Sequence, residues 1–205
     1  MEILKKTIGL ALLIIGLQAS AQDQKTMLDA FNKSYVFENG QKYNEAVDAL
    51  KALNKPNDYV VNLRLGWLLY NGKRYEESVA FYKKAAALMP VAIEPLQGLV
   101  NTQIALNKWG DVEQTYLAIL KIDTKNSKTN YYLGMMYYNR KEYSKADKYF
   151  SVILNLYPYD YDAMLMSAWN AYFMGKTNEA KDLFHRVLLY SPTDASAKEG
   201  LALLK

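Results

Sequence analysis

Between residues 59 and 192 the apolar positions recur at helical rather than strand spacing. Leu63, Trp67 and Tyr70 follow one another at intervals of four and three residues, and so do Gln97, Asn101 and Ile104; Tyr131, Met135 and Tyr138; and Leu165, Trp169 and Tyr172. That spacing puts each trio on one face of a helix. A second stripe, Asn62, Leu65, Gly66 and Leu69 with its copies, reads as the core-facing side. Each segment divides into a first helix of about thirteen residues, Tyr59 to Asn71 or Ser127 to Asn139, and a second beginning near Tyr75 or Tyr143. Gly72-Lys-Arg, Asn139-Arg-Lys and Gly175-Lys-Thr stand between the helices as stops. The chain is therefore expected to be all-α.

The pattern has a period. Pro56, Pro90, Pro158 and Pro192 stand 34, 68 and 34 residues apart, with Thr124 in the missing place. Proline lacks the amide donor that an inner helical turn needs, so these residues close the second helices. The same period superposes Leu65-Gly66, Leu99-Val100, Leu133-Gly134 and Ser167-Ala168, and later Tyr82, Tyr116, Phe150 and Phe184. Units are thus expected at about 25–58, 59–92, 93–126, 127–160 and 161–194, with a capping helix over 195–205. Two irregularities carry expectations. Tyr43 lies only 32 residues before Tyr75, which shortens the second helix of the first unit by about two residues and tightens or frays its end. Val100 replaces a glycine in the third unit, and its methyls should loosen that hairpin.

Leu65-Gly66…Tyr75-Glu-Glu-Ser78…Tyr82…Ala85…Pro90 and Leu133-Gly134…Tyr143-Ser-Lys-Ala146…Phe150…Pro158 resemble the tetratricopeptide repeat signature. The resemblance covers residues 25 to 205. It implies an all-α solenoid of about five helix-turn-helix repeats plus a C-terminal capping helix, wound as a right-handed superhelix with the first helices along a concave groove. A lone hairpin of this kind cannot cover both of its apolar sides, so neighbours and a terminal cap must do so. The resemblance further implies that the four trios line the groove together with Phe173, with Asn71 and Asn139 among the rings. Tryptophan and tyrosine combine apolar area with a polar tip and dominate binding surfaces. The competing reading is that these rings pack against the helices of adjacent units. Lys33 and Lys128 are the only basic residues expected on this face, too few for a clamp on a C-terminal carboxylate.

Ahead of the repeats, Lys5 and Lys6 precede the apolar run from Thr7 to Leu17, followed by Gln18-Ala-Ser-Ala21. This is the layout of a signal peptide with cleavage after Ala21. A run of eleven residues is too short to span the hydrocarbon core of a membrane, so no stable insertion is expected after cleavage. The expected mature chain, 22–205, is one repeat domain bound for the periplasm or beyond. The absence of cysteine excludes disulfides, thiolate metal sites and a cysteine-borne lipid anchor.

The net charge of +4 falls to +3 when Glu2, Lys5 and Lys6 leave with the leader, too mild to point to nucleic acid. His185 is the one histidine, so neither a catalytic triad nor a histidine-rich metal site can be assembled. No glycine-rich phosphate loop is present. The expectation is a scaffold of the bacterial envelope, with no cofactor and no catalysis, holding a protein or peptide partner. The alternative is a carbohydrate-binding accessory protein, motivated by the same rings.

Overall fold

A computed structural model describes residues 22–205; the leader read over residues 1–21 lies outside them. Among the described residues there are eleven helices and no strand. They are α1 (22–39), α2 (Tyr43–Lys51), α3 (Tyr59–Asn71), α4 (Tyr75–Leu88), α5 (Glu94–Ala105), α6 (Trp109–Ile122), α7 (Ser127–Asn139), α8 (Tyr143–Leu156), α9 (Tyr161–Phe173), α10 (Thr177–Tyr190) and α11 (Ala195–Leu203).

The helix ends repeat because their chemistry repeats. Asp58, Asn126, Asp160 and Asp194 each accept the backbone N–H three residues on, from Val61, Thr129, Ala163 and Ala197, at 2.7–3.1 Å. Each side chain satisfies a donor that the first helical turn leaves open. Ala92 occupies the equivalent place in the third unit, and there the helix starts at Glu94-Pro95, where a proline costs no hydrogen bond.

At the other end, the residue that turns left-handed is not Gly72 but Lys73, at φ 60°, and likewise Gln41, Asn107, Lys141 and Gly175. The amide of Lys73 reaches the carbonyl of Tyr70 at 3.0 Å and that of Arg74 reaches Leu69 at 2.8 Å, the pair of bonds that closes a Schellman motif. Gly72 is needed for space instead, since a Cβ there would lie 3.0 Å from the Cβ of Tyr43.

Helix α2 is shorter than its spacing predicts, with nine residues against fourteen in α4. Its end tightens into i→i+3 bonds from Leu53 to Leu50 and from Asn54 to Lys51, and Asn54 turns left-handed at φ 48°.

The contacts separate into two compact units, one ending at Trp109 and the other starting at Gly110, at the first residues of α6 in the hairpin that carries Val100. The first unit packs α3 on α4 and α4 on α5, over a core that includes Ala30, Val47, Leu50, Val61, Leu65, Leu68 and Leu69. The second packs α7 on α8, α9 on α10 and α11 against both α9 and α10, with Met164, Leu183, Phe184 and Val187 in its core. Each fully buried leucine, valine or phenylalanine contributes about 1.5–3 kcal/mol relative to exposure.

Aromatic wedges set the helix separations. Tyr82 fills the space beside Gly66, where a Cβ would stand 2.8 Å from the ring, and the space beside Gly98 as well. Phe150 does the same at Gly134 and Phe184 at Gly200. Tyr116 instead stacks on Tyr132, with centroids 5.9 Å apart and planes 9° apart.

Candidate functional site

Three first helices of the first unit enclose a groove. Helical spacing puts Leu63, Arg64 and Trp67 on one face of α3; α1 supplies Phe31 and Tyr35; α5 supplies Glu94, Gln97, Gly98 and Asn101; and Tyr82 forms the floor. The cavity measures about 370 Å³. Glu38, one turn beyond Tyr35, ties the wall together. Its Oε1 accepts the indole N–H of Trp67 at 2.5 Å, and its Oε2 accepts the Arg64 guanidinium at 2.5 Å. The guanidinium also lies 3.8 Å from the centroid of the Tyr35 ring. These contacts leave only 9% of the Arg64 side chain and 19% of the Glu38 side chain exposed, whereas Trp67 stays 44% exposed with its orientation fixed.

At the other wall the Tyr59 hydroxyl donates to Glu94 Oε2 at 3.3 Å, and Glu94 makes no ion pair among the described residues. Burial pushes the Tyr82 phenol well above its ordinary range, with smaller contributions from Tyr70 and from the charge of Glu94. The Tyr59 hydroxyl is raised too, by burial first and then by Glu94.

Of the seven positions expected in this half, the structure brings Leu63, Trp67, Gln97 and Asn101 together around the cavity. Tyr70, Asn71 and Ile104 do not line it. Tyr70 leans on Tyr75 at 5.8 Å, the Asn71 amide donates to the Trp67 carbonyl at 2.9 Å, and Ile104 is exposed without reaching the cavity.

The second unit holds the other eight. Phe173 stacks on Tyr143 at 5.1 Å and 8°, and Tyr138 meets the Phe173 ring edge-on at 5.9 Å. Trp169 sets its edge to Tyr172 at 5.7 Å and to the buried Phe184 at 5.1 Å, while its indole N–H donates to Ser196 Oγ at 2.9 Å. Tyr131 tilts on Phe150 at 6.2 Å, and Leu165 packs on the terminal core. Met135 is half-buried and Asn139 exposed. None of the fifteen expected positions is buried, so the rings are not swallowed between helices, although many turn one face to each other.

Phe31, Tyr35, Glu38 and Arg64 escape the sequence reading. The first three are aligned with Leu63, Trp67 and Tyr70 when counted back 32 residues, the interval between Tyr43 and Tyr75. At the full 34-residue interval Lys33, not Tyr35, aligns with Trp67, whereas the groove holds Tyr35.

Family models described as tetratricopeptide repeat match residues 31–92, 129–158 and 162–194, more than half of the chain. The chain belongs to the tetratricopeptide repeat family. Among solved structures, a tetratricopeptide repeat protein from Parabacteroides merdae superposes with a TM-score of 0.70 at 22% identity, over 88% of this chain and 72% of that one. MamA gives 0.66 at 17% identity, over 88% and 96% of the two chains. YrrB, a tetratricopeptide repeat protein with an unusual peptide-binding site, gives 0.66 at 12% identity, over 90% and 97%. At these identities the likeness speaks for the fold. No curated protein matches the chain.

Tetratricopeptide repeats form helical solenoids and serve as protein-interaction scaffolds, generally without catalysis of their own. Among the described residues no three His, Asp or Glu side chains gather to hold a metal ion, and no helix is long and apolar enough to cross a membrane.

Proposed function

We propose that this protein is an envelope scaffold whose first helices hold a peptide segment of a protein partner. The observation that carries the reading is Trp67, which stays open to solvent while Glu38 fixes its indole. A ring held in place loses little freedom on contact, so its apolar area is available for binding at small entropic cost. The amides of Gln97 and Asn101 line the same cavity without hydrogen-bond partners among the described residues, and they can pair with a peptide backbone. The leader pattern over residues 1–21 supports the envelope address.

A photoreactive residue in place of Trp67, compared with one at the exposed Lys83, tests the site in native envelopes. Capture of a defined protein at position 67 and not at position 83 is the expected result; the same partners at both positions would end the groove reading. Cell fractionation tests the address, and a chain recovered in the cytoplasm would refute it. The same rings could instead receive a sugar, and a saturable change in tryptophan fluorescence with envelope glycans would favour that reading.

A further inference from the structure

The groove of the first unit has an uneven charge. Its lining contains two ionised side chains, Arg64 and Glu94. Arg64 is committed: both its ion pair and its stacking surface are filled from within, by Glu38 and Tyr35. Among the described residues Glu94 forms no ion pair, and its carboxylate accepts only the Tyr59 hydroxyl. It stands in the first turn of α5, beside amide donors that the helix leaves unpaired. The other polar groups of the lining are neutral: the amides of Gln97 and Asn101, the hydroxyls of Tyr35 and Tyr82, and the Trp67 indole N–H already given to Glu38.

Resting on the groove reading above, we infer that the occupant is a peptide segment bearing a lysine or arginine side chain that pairs with Glu94, its apolar neighbours lying on Trp67 and Tyr35. An acidic or C-terminal carboxylate ligand would meet the uncompensated charge of Glu94 and find no free cation in return. A wholly apolar segment would leave Glu94 partly stripped of water and unpaired, which costs binding free energy.

The test is selection of a displayed library of short random peptides on the full chain and on Glu94→Gln, followed by fluorescence anisotropy on the recovered peptides. Lysine or arginine should be enriched at one position by the native chain and not by Glu94→Gln. Replacing a selected arginine with citrulline, or a selected lysine with norleucine, should weaken binding to the native chain about tenfold. The same replacement should leave binding to Glu94→Gln unchanged. Enrichment of acidic or purely apolar peptides that still require Trp67 would overturn the inference and leave the groove reading standing. No enrichment over the starting library would overturn both.

Discussion

The ring of Tyr82 occupies the space that a side chain on Gly98 would need. It lies so close to the ideal Cβ position that an alanine there could be housed only by moving the ring, and the same ring also closes on Gly66. One aromatic residue thereby fixes the separation of α4 from both α3 and α5.

Gly98→Ala should therefore destabilise the protein by about 1–3 kcal/mol, as overpacking does in cores. Gly110→Ala is the control, because a Cβ there meets nothing within 4 Å; it should be neutral or stabilise by up to about 1 kcal/mol through helix propensity. Urea denaturation of both variants measures this, and equal midpoints would remove the wedge from the account.

Lys141 sits in the left-handed region at φ 61°. Lys141→Gly should stabilise by about 0.5–1 kcal/mol, whereas the β-branched Lys141→Val should destabilise by a similar or larger amount. A thermal melt in which both shift the same way would contradict the assignment.

Glu38 holds the nearly buried guanidinium of Arg64 and the Trp67 indole. Glu38→Ala should cost about 1–3 kcal/mol, because it leaves a charge with little solvent and no carboxylate. Adding Arg64→Met to that variant should recover part of the loss. A double variant no more stable than the single one would show that the pair is dispensable.

Acid and alkali act at different places. Asp194 accepts from the Tyr161 hydroxyl and from the Ala197 amide, which hold its carboxyl below the usual range. Its stabilising effect is present above about pH 3.9 and disappears as pH falls through the lower folded value. Asp194→Ala should cost about 1 kcal/mol at neutral pH, as loss of a helix cap does, and should flatten the acid limb. Burial, and secondarily Tyr132, push the Tyr116 phenol up to about 12. Its contribution is complete below about pH 10, the value of a free phenol, and fades as pH rises toward the folded value. Denaturation curves for Tyr116→Phe between these limits should show a smaller alkaline loss than the native chain.

Much of this was legible in the chain because local chemistry repeats with the period. Tyr59–Asn71 and Ser127–Asn139 begin and end where the spacing puts them, and Asp58, Asn126, Asp160 and Asp194 were available as further markers of the helix starts. The first unit is two residues shorter than the others between Tyr43 and Tyr75, so Phe31, Tyr35 and Glu38 fall into register with Leu63, Trp67 and Tyr70 only when counted back from the turn. The bond from Glu38 to Arg64 has no copy in later units, so periodicity could not reveal it. Nor does spacing tell which rings turn toward one another: the resemblance puts Phe173 and Trp169 on an open wall, yet each spends one face on aromatic neighbours.

The turns close with amide and carbonyl groups alone, so the side chains of Lys73, Asn107 and Lys141 are spared any structural duty there. Short of β-branching, they can drift in identity over generations without disturbing the hairpins. That freedom makes this rim the natural place to attach a dye, a tether or an affinity handle while the rest of the surface keeps its native chemistry.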